Sequence, residues 1–233
     1  MDVIILCAGK GKRFESKIPK VLEKIDFRPL IYYSIKSFND FFETEGIYLV
    51  VSKDNVKNFE KLLSNYKKYF KKLKEIIIGG EERFDSVKNA FDYLIKNGSS
   101  EFVAIHDGAR PFIKKELINS LYLGAKEYGA SAPGIKVIDT IKSVSNDKFI
   151  ENHLKRDKLI AIQTPQIFKF EDIVTAYNLY IHKEFWTDDT EIFSKLNKRV
   201  KIIDGDKDLI KITYKEDMIL AKNIYKRIKH LWK

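Results

Sequence analysis

Val3-Ile4-Ile5-Leu6-Cys7-Ala8-Gly9-Lys10-Gly11-Lys12-Arg13 sits at the start of the chain and decides its fold. The apolar run Val3 to Cys7 has the pattern of a buried strand, and it breaks where the glycines begin, so backbone N–H groups there can approach an anion that a Cβ would hold off. Lys12, Arg13 and, six residues after Arg13, Pro19-Lys20 place three cations close by. The stretch reads as a strand feeding a phosphate-binding loop. Two better-known loops do not match it. A P-loop needs Ser or Thr after Gly-Lys, whereas Lys12-Arg13 follow Gly11 here. The dinucleotide fingerprint needs a third glycine, and Phe14 takes that place.

Outward from the loop, apolar runs alternate with segments of helical period through the first 130 residues or so. Pro29 opens a helix over Leu30–Phe38; a strand follows at Ile47–Val51, then a helix through Val56, Phe59, Leu62, Leu63 and Tyr66. Ile76-Ile77-Ile78 is a third strand before Gly79-Gly80, Val87 to Lys96 a further helix ended by Asn97-Gly98, and Phe102–Ile105 a fourth strand. This order predicts an α/β fold: a Rossmann-like, doubly wound, mostly parallel sheet with helices on both faces. Ligands bind such sheets at the carboxyl ends of the strands, where Gly9, Gly79 and His106-Asp107 fall. From about residue 136 to 162 the pattern changes. Val137–Ile141 and Leu159–Ile162 are strand-like and Ser145-Asn146-Asp147-Lys148 is a turn cluster, which predicts a projecting β-arm. Thr213-Tyr214-Lys215-Glu216 reads as a capping box starting a long basic helix to Trp232. No repeat or low-complexity linker interrupts the 233 residues, so a single domain over 1–233 is expected.

The 43 Lys and Arg against 33 Asp and Glu leave a net charge of +10, which favours anionic partners. Much of the excess lies in stretches such as Lys67–Lys74, read as a solvated helix face rather than a nucleic-acid stripe. The aromatics follow core periodicity, so no nucleic-acid partner is expected. Cys7 is the single cysteine, which excludes an intramolecular disulfide and reads as core. The start has no basic n-region and no run approaches the ~20 apolar residues of a membrane span, so a cytoplasmic protein with no membrane partner is expected. His106, His153, His182 and His230 share no metal-ligand spacing with one another or with Cys7, so no protein-built metal site is assigned.

Further polar clusters gather around this frame. In Gly79-Gly80-Glu81-Glu82-Arg83-Phe84-Asp85-Ser86-Val87 the glycines let backbone meet a flat base, and Glu81 and Ser86 offer hydrogen bonds, unless the stretch is a plain turn capped by Asp85. His106-Asp107-Gly108-Ala109-Arg110-Pro111 puts a carboxylate and a guanidinium three residues apart, suited to a ribose or metal and to a phosphate, or to a structural ion pair. Asp139-Thr140, Arg156, Gln163-Thr164-Pro165-Gln166 and Thr187-Asp188-Asp189 flank the arm, and Lys211 lies in an alternating Ile210-Lys211-Ile212 stretch.

Taken in order, Ala-Gly-x-Gly-x-Arg, Pro-Lys, Gly-Gly-x-x-Arg-x-x-Ser-Val, His-Asp-x-Ala-Arg-Pro, Asp-Thr, Gln-Thr-Pro-Gln-x-Phe, Thr-Asp-Asp and Lys-Ile-Thr-x-x-x-Asp resemble the 2-C-methyl-D-erythritol 4-phosphate cytidylyltransferase family of the non-mevalonate isoprenoid pathway. The resemblance runs from residue 3 to about 221. It implies a nucleotidyltransferase of nucleotide-diphospho-sugar transferase type that takes CTP and 2-C-methyl-D-erythritol 4-phosphate, with Mg²⁺ held mainly by the CTP phosphates. It implies Arg13, Lys20, Arg156 and Lys211 as catalytic; Cys7, Ala8, Gly9, Gly11, Gly80, Glu81, Ser86, Asp107 and Gly108 as nucleotide-binding; and Arg110, Thr140, Arg156, Thr164, Thr187 and Lys211 as acceptor-binding. It also implies a homodimer in which the β-arm embraces the neighbour. Three positions depart from the family's usual residues: Cys7 and Gly108 stand where alanine is usual, and Leu209 where asparagine is.

Two other readings compete. Ribitol 5-phosphate cytidylyltransferase shares the loop and the His-Asp and Gln-Thr-Pro-Gln motifs, but Arg83–Val87 and Asp188-Asp189 lean toward the erythritol enzyme. A non-catalytic nucleotide-binding module is disfavoured because the loop cations and Lys211 are all present.

Overall fold

The computed structural model describes residues 1–9, 11, 13–14, 18–180 and 186–232, with Leu63 described by its backbone alone. Lys10, Lys12 and His182 therefore lie outside the described residues. Strand β1 (Asp2–Leu6) leads into the glycine loop, and a short hairpin, β2 (Lys24–Ile25) and β3 (Arg28–Pro29), precedes helix α1 (Leu30–Asp40). The alternation then runs β4 (Gly46–Val51), α2 (Val56–Tyr66), β5 (Leu73–Ile78), α3 (Arg83–Asn97), β6 (Phe102–Asp107) and α4 (Lys115–Tyr128). The second half holds β7 (Ala130–Lys136), β8 (Lys142–Val144), β9 (Ile150–His153), β10 (Ile160–Ile162), β11 (Gln166–Lys169), α5 (Phe170–Tyr180), α6 (Asp189–Ser194), β12 (Lys201–Asp204) and α7 (Asp217–Ile228).

The main sheet runs β10-β7-β11-β6-β1-β4-β5, with β12 beside β7. β1 lies between β4 and β6, parallel to both, and β5 extends the parallel half. β11 is antiparallel to β6 and β7, and β10 to β7, while β12 is parallel to β7. Both faces are covered, as parallel strands require. Alternate residues of β1 point to opposite sides. Val3 and Ile5 join a cluster with α1, α2 and α4, whereas Ile4 joins one with α3, α5 and α6. That is the doubly wound, mostly parallel architecture expected.

A third cluster shapes the site end. α7 packs Ala221, Ile224, Tyr225 and Ile228 with Trp232 against Tyr33, Phe112, Ile25 and Phe14. Phe14, in place of the absent third glycine, is buried here and its amide donates to the Gly11 carbonyl at 2.8 Å. The far end of the phosphate loop is thus anchored by burial instead of by close helix packing.

Several boundaries differ from the sequence pattern. Pro29 ends β3 with an extended ψ of 150°, and helix α1 starts one residue later. Val137–Ile141 is not a strand: the last pairing of β7 is Lys136 with Ile160, and β-branched residues without a partner strand do not make one. The arm is instead the β8–β9 hairpin, paired Lys142 with His153 and Ser143 with Asn152, apart from the main sheet. Lys67–Lys74 is no helix face, because α2 stops at Tyr66 and the segment turns into β5 with Phe70 and Leu73 buried. The Thr213–Glu216 capping box is also absent. The Asp217 carboxylate takes the Thr213 and Tyr214 amides at 2.7 and 2.8 Å, so the helix begins at Asp217.

Candidate active site

A cleft of about 470 Å³ opens at the carboxyl ends of β1, β5 and β6. Its wall includes Cys7, Ala8, Gly9, Gly11, Arg13, Lys20, Gly80, Glu81, Ser86, Asp107 and Lys211. Residues spread over more than two hundred positions meet there because three parallel strands end side by side. Gly11, in the cleft wall, has φ +58°, a left-handed backbone that glycine adopts without strain.

Asp107 ends β6 in the cleft. Lys211 Nζ lies 2.9 Å from its Oδ2, Arg110 Nε 3.6 Å from the same oxygen and Arg83 Nε 3.9 Å from Oδ1. Burial alone would push this carboxyl up, but Lys211, Arg83 and Arg110 outweigh it and hold it well below the usual carboxylate range. The Lys20 ammonium is half-buried and drawn below its ordinary value, first by burial and then by Lys211 and Arg13. Cations that repel one another in a half-buried cleft favour an incoming polyanion. Arg13 is exposed, its guanidinium 5.7 Å from the centre of the Tyr214 ring.

The Gly79–Ser86 turn is a genuine helix start. Asp85 is not its cap: Glu82 is, with its side chain taking the Asp85 amide and the Asp85 carboxylate taking the Glu82 amide at 3.1 Å. The Ser86 hydroxyl donates to the Glu82 carbonyl at 3.1 Å and accepts from the Gly80 amide at 3.2 Å. It shapes the turn that walls the cleft. The Gly108 amide is likewise committed, donating to the Leu6 carbonyl at 2.9 Å, and Gly108 is buried behind the cleft wall, which Asp107 and Ala109 line on either side of it.

The acceptor-side residues are distributed differently. Arg110 Nη1 donates to the Leu209 carbonyl at 2.9 Å, beside the cleft. Thr164 is buried, its hydroxyl accepting from the Asp107 amide at 3.0 Å and lying 3.3 Å from His106 Nδ1. His106 Nε2 donates to the Arg110 carbonyl at 2.9 Å, and burial pushes its imidazole down to about 4, so it stays neutral. Thr187 is exposed at the start of α6, its amide and hydroxyl donating to Glu191 at 2.9 and 2.7 Å. Thr140 and Arg156 flank the β8–β9 hairpin, one on each side; Arg156 donates to the Ile138 carbonyl at 2.8 Å, and neither residue is among those lining the cleft of its own chain. Leu209 is fully buried, so this departure fills core while its carbonyl does the bonding.

Sequence reasoning passed over Arg83, Glu82, Pro19, Val21, Ala109 and Thr213, which also line the cleft. Arg83 is the most consequential. It makes a two-pronged contact with buried Asp189 at 2.9 and 2.5 Å, and the Tyr177 hydroxyl donates to the same carboxylate. Its place in the Gly-Gly-x-x-Arg motif was the available signal. Among the described residues no three His, Cys, Asp or Glu side chains gather as a metal cage. No helix is long and apolar enough to cross a membrane among them.

Comparison with known proteins agrees with this geometry. The sequence model of the family described as 2-C-methyl-D-erythritol 4-phosphate cytidylyltransferase matches residues 1–227. Relatives of that name from Clostridium perfringens (strain SM101) and Clostridium novyi are 37% and 38% identical over 224 and 228 residues, covering 96% and 97% of this chain and 97% and 96% of their own. The crystal structure of 4-diphosphocytidyl-2C-methyl-D-erythritol synthase from Anaerococcus prevotii superposes with a TM-score of 0.83 at 29% identity, over 97% of this chain and 96% of that one. The chain belongs to the 2-C-methyl-D-erythritol 4-phosphate cytidylyltransferase family.

Proposed function

We infer that this protein transfers CMP from CTP to 2-C-methyl-D-erythritol 4-phosphate, giving CDP-methylerythritol and pyrophosphate in non-mevalonate isoprenoid precursor biosynthesis. The observation that carries this reading, beside family membership, is the convergence of Arg13, Lys20 and Lys211 with the Gly9–Gly11 loop on one cleft. An oxygen of the acceptor phosphate attacks the α-phosphorus of CTP, and the bond from that phosphorus to the β-phosphate oxygen breaks. The attacking oxygen is already anionic, so the step needs charge stabilisation more than proton transfer.

The residues divide this work. The backbone from Cys7 to Gly11 and the Gly80–Ser86 turn, with Glu81, Asp107 and the Gly108 backbone, hold the nucleotide, and the turn carries the selectivity for cytosine over a purine. Arg13 and Lys20 stabilise the charge that builds on the transferring group. Lys211 and Arg156 hold the acceptor phosphate in line, and Arg110, Thr140, Thr164 and Thr187 form the acceptor side, Thr164 by fixing Asp107 rather than through its own exposed surface. A divalent cation such as Mg²⁺ would arrive on the triphosphate and neutralise the leaving pyrophosphate. Asp107, already neutralised by three cations, does not fit as the centre of a protein-built metal site, so no step is assigned to it through the metal.

Thr140 and Arg156 are not among the residues lining their own cleft, and the hairpin between them leaves Val144, Phe149 and Ile150 exposed. We propose that these arms pair two copies of the chain, each delivering Arg156 and Thr140 to the other's cleft. The test of the reaction is pyrophosphate release from CTP and Mg²⁺ with methylerythritol 4-phosphate and ribitol 5-phosphate in parallel. Release with the first alone is expected; release with the second alone would move the assignment to ribitol activation, and silence with both would leave a nucleotide-binding role.

A further inference from the structure

Lys211 and Asp107 meet at 2.9 Å, yet they come from segments far apart in the chain: Asp107 ends β6, and Lys211 lies in the connection between β12 and α7. Two adjacent residues of the loop joining β10 to β11 reach both sides of that pair. Gln163, 4% exposed, uses its whole carboxamide on the turn that leads to Lys211. Its Nε2 donates to the carbonyls of Asp206 at 2.8 Å and Leu209 at 3.2 Å, and its Oε1 accepts from the Asp206 amide at 3.1 Å. The turn is shaped to receive it, since a Cβ on Gly205 would lie 2.4 Å from Gln163 Oε1. Arg110 Nη1 holds the same Leu209 carbonyl. The neighbouring residue, Thr164, holds the Asp107 amide.

We propose that Gln163 is a positioning residue for the transfer reaction: with Thr164 it brackets the Lys211–Asp107 pair, and it acts on the reaction through Lys211. This rests on the reading of Lys211 as a holder of the acceptor phosphate. Three hydrogen bonds on a turn two residues from Lys211 set where its ammonium sits, and a displacement near 1 Å of a group that orients a reacting phosphate costs up to about 100-fold in rate.

A double-mutant cycle with a labelling measurement tests this. Gln163→Glu keeps the shape and acceptor but sets a carboxylate against two carbonyls, and Gln163→Met removes the bonds without adding charge. Both are expected to lower kcat/KM for the acceptor by about 10- to 100-fold in the native background. In a Lys211→Ala background the same substitutions should change it less than about threefold, because groups acting through one another are non-additive. Equal losses in both backgrounds would overturn the proposal. Independently of turnover, trace acetylation read by mass spectrometry on the folded proteins should modify Lys211 several-fold faster in the Gln163 variants. If the native protein transfers no CMP, the functional reading fails while the labelling still decides the bracket; unchanged Lys211 labelling overturns it.

Discussion

The Cys7 sulfur fills the space in which a side chain on Gly108 would begin: a Cβ built there lies 2.8 Å from Cys7 Sγ and 3.0 Å from the Leu6 carbonyl oxygen. β1 and β6 end as neighbours, Leu6 opposite Asp107, so the residues just beyond them share one volume. The two departures from the family's usual alanines are therefore one exchange, larger at 7 and smaller at 108. Gly108→Ala should cost about 1–3 kcal/mol, the range of overpacking in a filled core. With Cys7→Ala in place the same change should cost clearly less. Urea unfolding of the four proteins measures the coupling, and strictly additive values would refute the exchange.

Lys20→Ala and Arg13→Ala should each lower kcat by about 10²- to 10⁴-fold, the scale of losing a preorganised charge at a transition state. Among the described residues neither makes a buried ion pair, and Arg13 is exposed, so thermal midpoints should barely move. Unchanged turnover in either variant would remove that residue from the role assigned to it.

Stability should fall as pH drops from about 6.5 toward 4. His106 has an ordinary value of 6.5 and is pushed down to about 4 by burial, so the unfolded chain binds its proton first. The stability contributed by keeping it neutral is whole above 6.5 and is lost as pH falls to the folded value, up to roughly 3 kcal/mol. Below that window Asp107, held low by its cations, adds a further loss as it takes up its proton. Denaturation midpoints of native protein and His106→Gln across pH 7.5 to 4.5 check this; the variant should show the flatter dependence.

Mixing Lys20→Ala and Arg156→Ala subunits should restore activity that neither variant has alone. A mixed dimer has one cleft with an intact Lys20 served by an arm with an intact Arg156, so random pairing returns about a quarter of native turnover. No gain on mixing would place each arm at its own cleft.

The parallel half of the fold was legible because every element there carries its own signal. β1, β4, β5 and β6 are apolar runs, and α1 and α2 show helical spacing, so pattern and structure agree within a few residues. The arm was legible only as a change of pattern. Val137–Ile141 looks like a strand by composition, but pairing decides strands, and β7 loses its partner at Lys136. The start of α7 failed for a related reason: Thr213 and Glu216 fit a capping box, yet it is the Asp217 carboxylate that takes the Thr213 amide, together with that of Tyr214. In the site, the loop glycines and cations were legible from local spacing. The Arg83–Asp189 contact was not, because 106 positions separate the partners and only the fold joins them. Arg110 and Thr164 looked like direct ligand contacts, whereas much of their bonding capacity goes to Leu209, Asp107 and His106.

Phosphorus NMR of the native protein with CTP, Mg²⁺ and methylerythritol 4-phosphate tests the central claim most directly. The account predicts that the monoester signal of the acceptor disappears in step with the triphosphate, giving the coupled pair of a new diphosphate diester and one equivalent of pyrophosphate. An acceptor signal that persists while CMP and pyrophosphate accumulate would make water the nucleophile and contradict the account.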